Sequence, residues 1–328
     1  MSALSPGSIF VTGASGFVGH WLLEFLRKQG RPVIRLGLEA GPASELGKTW
    51  LPLDLAQAAM VDPGAPVLDL DSLPAPAGLI HLAALSFPPA CEADPPLARA
   101  VNVFGPARLY QQLLQTWPEL PILHVSSGHV YQPSPDLLSE DQTLEPVNVY
   151  GATKLQGEAV ALGLRDQGAR ISVVRPFNHT GAGQSAQFAL PSFALRMAKL
   201  EQEGGGSLSV GRLDSVRDFL HVRQVVEAYG QLLPQAGEED IVNLCSGQGQ
   251  VIAELLEGLR QRAQVPVEIE TDPARMRGSQ DPSVLVGDPS RLHGLLGTQP
   301  TLDVEALLDE LIDDARSRVA QGESLQQA

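Results

Sequence analysis

The sequence predicts an α/β fold built on a doubly wound parallel sheet, and three observations predict it. Short apolar runs alternate with helical stretches through the first half of the chain. A glycine-rich turn, Thr12-Gly-Ala-Ser-Gly-Phe-Val-Gly19, joins the first run to the first helix. Beyond Pro176 the alternation gives way to polar loops and separate helices, which reads as a smaller C-terminal substrate-binding α/β lobe. In order, Ile9-Phe-Val11 is the first strand, and Val18 to Gln29 is a helix stopped by Gly30. Pro32 to Leu36, Trp50 to Leu55, Gly78 to Ala84, Pro121 to Ser126 and Ile171 to Arg175 are strands two to six. Ala98 to Trp117 and Tyr150 to Arg165 are the long helices between them. Residues 37–77, rich in Pro, Gly, Ala and Asp, are the least readable part. Further on, helices are expected over Phe188 to Glu203, Val222 to Leu233 and Ile252 to Gln261, with a strand from Ile241 to Cys245. The expected division is 1–175, with 218–245 returning to it, against 176–217 and 246–328.

Composition narrows the functions open to this chain. With 328 residues, 43% hydrophobic and 19% charged, it has the make-up of a globular protein with a sizeable core. A net charge of −15 excludes a general nucleic-acid or anionic-membrane binder, because phosphate contacts need a basic face. An anionic small molecule stays possible, provided a few local arginines hold it. Cys91 and Cys245 lie far apart and outside any metal-ligand spacing, so they are expected to be free thiols in a reducing compartment. The opening residues lack a basic n-region, and no apolar stretch approaches the length of a membrane span. A cytoplasmic protein with no metal is expected.

The glycine turn follows a strand and opens a helix, the context of a dinucleotide site of Rossmann type. Gly13 permits the tight turn, Gly16 lets backbone reach a pyrophosphate, and Gly19 lets helix and sheet pack closely. Ser15, Phe17 and Val18 complete the expected phosphate turn. The second strand's tip reads Arg35-Leu-Gly-Leu-Glu39, with no carboxylate to accept the ribose 2′-hydroxyl. Arg35 leans the site to NADP(H), whose extra phosphate it would neutralise; Glu39 folding back would suit NAD(H), and both stay open. Asp54, with the Leu55 amide beside it, is expected at the adenine, and Asp69-Leu70 is the rival assignment. Leu82, Ala83 and Ala84 close the fourth strand, where small residues let ribose approach.

The chemistry is carried by Tyr150 and Lys154, four residues apart and so on one helix face. An ammonium beside a phenol stabilises the phenolate, which is expected to lower the phenol's pKa. Ser127, in Ser126-Ser-Gly-His-Val-Tyr131, follows the fifth strand and would bond a substrate carbonyl while Tyr150 delivers a proton. Hydride would come from the coenzyme.

These residues resemble the extended short-chain dehydrogenase/reductases that act on nucleotide sugars, over nearly the whole chain. TGASGFVG is similar to that family's coenzyme fingerprint, HLAA to its fourth-strand tip, VSSGHVY to its serine segment and YGATK to its catalytic pair. Arg175-Pro-Phe-Asn-His-Thr-Gly-Ala-Gly-Gln184, Ser215-Val-Arg-Asp-Phe-Leu-His-Val222, Asp272-Pro-Ala-Arg-Met-Arg277 and Val286-Gly-Asp-Pro-Ser-Arg291 resemble its GDP-mannose branch. That branch holds GDP-mannose 4,6-dehydratases and GDP-6-deoxy-D-lyxo-4-hexulose reductases. The resemblance implies that Ser127, Tyr150 and Lys154 are catalytic and that Pro176 and Phe177 join the coenzyme site. It also implies that Asn178 contacts the nucleotide sugar, that Arg217 and Arg277 neutralise its diphosphate, and that Gln280 stands near the ribose. The dehydratases carry a carboxylate two residues after the catalytic hydroxyl, where this chain has His129. Elimination then lacks its base, whereas hydride transfer needs only Ser127, Tyr150 and Lys154. The implied activity is NAD(P)H-dependent reduction of GDP-4-keto-6-deoxy-D-mannose at its 4-keto group, to GDP-D-rhamnose or to its C4 epimer GDP-6-deoxy-D-talose. A nucleotide-sugar 4-epimerase, a 4,6-dehydratase and a non-catalytic NAD(P) sensor are the alternatives.

Smaller signals have plainer readings. Ser86 and Phe87 line the sugar pocket or merely turn the chain. His179 and His221 are expected as hydrogen-bonded structural residues. The helices at Ala98 to Trp117 and Tyr150 to Arg165 correspond to those that pair in dimers of similar enzymes, so a homodimer is expected.

Overall fold

The computed structural model of the chain describes residues 7–38, 50–62, 64–71, 73–273 and 283–323. Its centre is a seven-stranded sheet in the order β3-β2-β1-β4-β5-β6-β10, parallel throughout. The strands are β1 (Ile9–Thr12), β2 (Val33–Gly37), β3 (Trp50–Pro52), β4 (Gly78–His81), β5 (Ile122–Val125), β6 (Ile171–Pro176) and β10 (Ile241–Leu244). Alternate residues of each strand enter opposite layers, as a period of two requires. Ile9, Val11, Ile80, Leu123 and Val174 meet α1 (Phe17–Lys28) and α8 (Val222–Leu232) through Leu22, Leu26, Val225 and Tyr229. Phe10, Leu79, Ile122 and Val173 meet the other layer, where α5 (Gly105–Thr116) and α6 (Val149–Arg165) supply Leu109, Leu113 and Ala161. Strand order reverses between β1 and β4, so a crevice opens there at the carboxyl ends of the strands.

Three expected elements differ from what forms, the fourth strand by ending at His81 and not Ala84. The third strand stops at Pro52, not Leu55, because Asp54 accepts the amides of Ala56 and Gln57 at 2.9 and 3.1 Å and so starts the short helix α2 (Leu55–Ala58). The helix expected from Ala98 begins earlier and is interrupted. After α3 (Pro88–Ala93), α4 (Pro95–Arg99) runs through a wide π turn, Ala100–Phe104, into α5.

The second lobe is built from α7 (Ala189–Glu203), α9 (Ile252–Gln261) and α11 (Val304–Ala320) around Leu190, Met197, Leu255 and Leu311. It carries the parallel pair β8 (Gly206–Val210) and β12 (Val267–Thr271). A small mixed sheet has β9 (Val216–His221) at its middle, with β7 (Asn178–Thr180), β11 (Gly249–Val251) and β13 (Val284–Leu285) on it. The expected return at 218 therefore falls inside β9, and contact with the large-sheet layers resumes at Leu220 of that strand and continues through α8; α10 (Ser290–Leu296) covers β10 from the same side.

Candidate active site

The crevice between the two lobes is a cleft of about 1370 Å³. A pocket for one small molecule is roughly 300–1000 Å³, so this cleft exceeds what one such ligand needs. Its first wall is made of backbone. Gly13 has φ +65°, and a Cβ there would lie 2.8 Å from the Ala83 amide nitrogen. A Cβ at Gly19 would lie 2.2 Å from the Gly13 carbonyl oxygen, so the turn folds onto α1 with room for hydrogen alone. Gly16 caps α1 without any side chain, and the first helical turn holds no acidic residue. Its leading amides and the positive end of the helix dipole therefore face an anion site, which fits the pyrophosphate of a dinucleotide. Thr12 Oγ1 accepts the Ala83 amide at 3.1 Å and pairs with His81 Nδ1 at 2.9 Å, tying the tips of β1 and β4 together beneath that turn.

Around this wall the cleft is lined by Gly13, Ser15, Gly16, Phe17, Val18 and Gly19, and by Asp54, Leu55, Leu82, Ala83 and Ala84. Arg35 is absent from the lining. It sits in mid-strand, level with Val11 and Trp50, two residues short of the tip, where Gly37 and Leu38 reach the cleft instead. Glu39 lies outside the described residues. Of the rival aspartates, Asp54 is at the cleft, whereas Asp69 accepts the Asp71 amide at 3.1 Å elsewhere.

The second wall carries the chemistry. Ser127 ends the segment after β5, and its Oγ accepts the His129 amide at 3.2 Å. Asn148 caps α6 by accepting the Gly151 amide at 2.8 Å, and Glu92 accepts the Val149 amide at 2.7 Å. A Cβ at Gly151 would lie 2.2 Å from the His129 carbonyl oxygen, so glycine there lets Tyr150 stand beside the serine segment. The His129 ring meets the Tyr150 ring edge-on at 5.7 Å. Burial pushes the Tyr150 phenol up to about 12, and a hydrogen bond with Ser127 works against that rise. This corrects the expected downward shift. Lys154 gives its ammonium to the Val125 carbonyl at 2.6 Å and is itself drawn down by burial to about 8, with Glu158 opposing. In the wall as it stands the phenol is kept protonated, and the lysine is the group poised near neutral pH.

The third wall is made of side chains. Pro176, Phe177, Asn178, Arg217 and Ser86 line it, as do Thr180, Gln184, Ser215, Arg196 and Arg212. Asn178 Oδ1, Thr180 Oγ1, Gln184 Oε1 and Ser215 Oγ are buried without a hydrogen-bond partner, four polar atoms whose capacity a polar ligand would meet. Residues 178–184 are pinned from two sides. Phe17 stacks on His179 at 6.4 Å, and Trp21 Nε1 donates to the Ala182 carbonyl at 3.2 Å. From α11, Glu310 accepts the Ala182 amide at 2.9 Å, Asp314 accepts the Gly183 amide at 3.2 Å, and Arg318 donates to the Gln184 carbonyl at 2.9 Å. His179 Nδ1 donates to the Phe177 carbonyl at 3.1 Å, since a carbonyl only accepts. His221 accepts the Arg223 amide and pairs with Glu310 at 3.0 Å. Both histidines are engaged within the fold. Arg277 and Gln280 lie outside the described residues.

Residues 9–245 match the NAD dependent epimerase/dehydratase family. The chain is 34% identical to the GDP-6-deoxy-D-mannose reductase of Pseudomonas aeruginosa, over 95% of this chain and 98% of that one. The chain belongs to this family. It is also 30% identical to the GDP-6-deoxy-D-talose 4-dehydrogenase of Aggregatibacter actinomycetemcomitans, over 92% and 96% of the two chains. Among solved structures it is similar to RMD from Pseudomonas aeruginosa complexed with NADPH, with a TM-score of 0.77 and 32% identity, covering 95% of this chain and 99% of that one. As a member of the family the chain is an NAD(P)-dependent oxidoreductase.

Sequence reading missed Glu92, Arg196, Arg212 and Ser215 as cleft residues. Arg212 carried a signal, because it stands three residues before the Ser215 to Val222 segment in a chain short of cations. Arg196 carried none beyond its helix. Among the described residues, no group of three His, Cys, Asp or Glu is arranged to hold a metal ion. Nor is any described helix long and apolar enough to cross a membrane. Cys91 and Cys245 are buried and unpaired.

Proposed function

We propose that this chain reduces the 4-keto group of GDP-4-keto-6-deoxy-D-mannose with NADPH or NADH. The observation that supports it most is the meeting of Ser127, Tyr150 and Lys154 in one cleft with an uncapped helix N-terminus. In this reading the Ser127 hydroxyl bonds the ketone oxygen and orients it. The bound coenzyme supplies the hydride. Tyr150 gives its proton to that oxygen, and a phenol held near 12 remains a good donor to an alkoxide, which is far more basic. Lys154 keeps positive charge beside the phenolate that forms. Across the cleft, Asn178, Arg217 and the unpartnered atoms of Thr180 and Ser215 hold the nucleotide sugar, with Arg277 and Gln280 joining them. Gly13 to Gly19, Asp54, Leu55 and residues 82–84 hold the coenzyme.

His129, in place of a carboxylate, favours reduction over elimination of water. The two relatives' names correspond to the two C4 epimers such a reduction can give. The proposal includes a cytoplasmic homodimer formed through the helical stretch from Ala98 to Trp117 and through α6, where Phe104 of the π turn exposes 53% of its surface. The test is to mix the purified protein with GDP-4-keto-6-deoxy-D-mannose and each reduced coenzyme. Loss of reduced-nicotinamide absorbance is expected, and proton NMR of the product assigns C4. No loss with either coenzyme overturns the reading.

A further inference from the structure

The catalytic helix carries a charge that the chemistry above leaves unused. Tyr150, Lys154 and Glu158 recur at four-residue spacing on α6 and so form one stripe. Glu158 is 1% exposed and grips Arg175 with both oxygens, Nε to Oε1 at 2.9 Å and Nη2 to Oε2 at 2.7 Å. The Ser126 hydroxyl donates to the same Oε1. Ser126 directly precedes Ser127, and Arg175 lies three residues before Asn178. Arg175 is itself held from behind by the Tyr131 hydroxyl at 2.8 Å and the Glu140 carbonyl at 3.3 Å. One carboxylate thus joins the helix of Tyr150, the segment of Ser127 and the segment of Asn178.

We propose that Glu158 is a positioning residue for the reaction: its carboxylate, one helical turn beyond Lys154, locks the Ser127 and Asn178 segments to the catalytic helix. The proposal rests on the assignment of Ser127, Tyr150 and Lys154 above. A buried ion pair is a poor source of stability, because desolvation offsets its attraction and apolar residues would fill the space as well. Its location supplies the reason for it. The groups whose charge Lys154 feels or shifts are Glu158 on its own helix, Cys91 from α3, His81 from β4 and His124 from β5. Burial holds both histidines neutral and the thiol protonated. Among the described groups around Lys154, Glu158 alone brings a negative charge, and it opposes the burial that strips the lysine of its proton.

The experiment is the pH profile of kcat for ketone reduction. The wild-type rate should fall as pH rises through about 8, where Lys154 loses its proton. Glu158→Gln should move that fall down by about one pH unit. Glu158→Asp, which keeps the charge, should restore its position. Because Glu158→Gln leaves Arg175 without its counter-ion, the double variant Glu158→Gln/Arg175→Met is measured beside it, with circular dichroism to confirm folding. Ser126→Ala should lower kcat several-fold at unchanged KM and leave the fall where it was. A folded neutral variant whose profile overlays the wild type overturns the proposal, as does failure of both neutral variants to fold, which would make the pair a folding element. A wild type that reduces no ketone instead overturns the functional reading beneath it.

Discussion

On the coenzyme side of the cleft the chain offers backbone, and on the nucleotide-sugar side it offers side chains. Gly13, Gly16 and Gly19 act by what they lack: their hydrogens let the turn fold onto α1 and leave its first amides uncapped. Opposite them, Asn178, Thr180, Gln184 and Ser215 hold out polar atoms that no neighbour satisfies, among Arg196, Arg212 and Arg217. A pyrophosphate is met by a fixed geometry that steric exclusion enforces. A sugar nucleotide is met by groups gathered from β7, α7 and the approach to β9, each adjustable on its own. The first surface tolerates no added atom at Gly13 or Gly19, whereas the second tolerates substitution at a graded cost.

The largest effect should come where the two surfaces converge. Tyr150→Phe is expected to lower kcat by about 10²–10⁴-fold with both ligands still bound, read by steady-state rates and calorimetric titration. A variant still binding but reducing at the wild-type rate would remove Tyr150 from the chemistry. Gly19→Ala pushes a methyl into the Gly13 carbonyl; it should weaken coenzyme binding at least about tenfold while GDP binds as before. Equal loss for both ligands would erase the contrast between the surfaces.

Lys154 gives a pH dependence whose sign can be worked out. Its value in the fold, about 8, lies below its ordinary 10.5, so the unfolded chain binds more protons between those limits. Stability from this group therefore rises with pH across that window, and below it the buried charge costs about 3 kcal/mol. Lys154→Met should be inactive yet more resistant to urea at pH 7, by about 1–3 kcal/mol, the gain fading toward pH 10. Ser215→Ala should raise KM for the nucleotide sugar a few-fold, by about 1 kcal/mol, and leave coenzyme binding alone. Smallest of all is Arg35→Ala, which should leave the ratio of NADPH to NADH activity within about twofold, since that side chain stands off the cleft.

Legibility followed the same contrast. The glycine turn, the order of strands and the Tyr150–Lys154 stripe were readable because backbone sterics and helix geometry fix them within a few residues of sequence. The mid-strand place of Arg35 could not be read because alternation reports a strand's faces but not how far its tip extends. The third strand was drawn too long because Asp54 capping α2 is a local contest that apolar patterning does not register. The downward shift expected at Tyr150 failed because spacing shows which groups are near one another and says nothing of how deeply they are buried. The unpartnered atoms of the third wall were invisible because their want of partners is a property of the assembled fold.

Glu310, Asp314 and Arg318 recur at one-turn intervals and fasten Ala182, Gly183 and Gln184, with Glu310 reaching back 128 residues. Synthesis on the ribosome therefore completes the glycine turn early and the opposing wall late. A nascent chain halted before Glu310 would already present its phosphate-binding amides while the partner surface was held from Phe17 and Trp21 alone, so its second fastening must wait for that distant helix to emerge and dock.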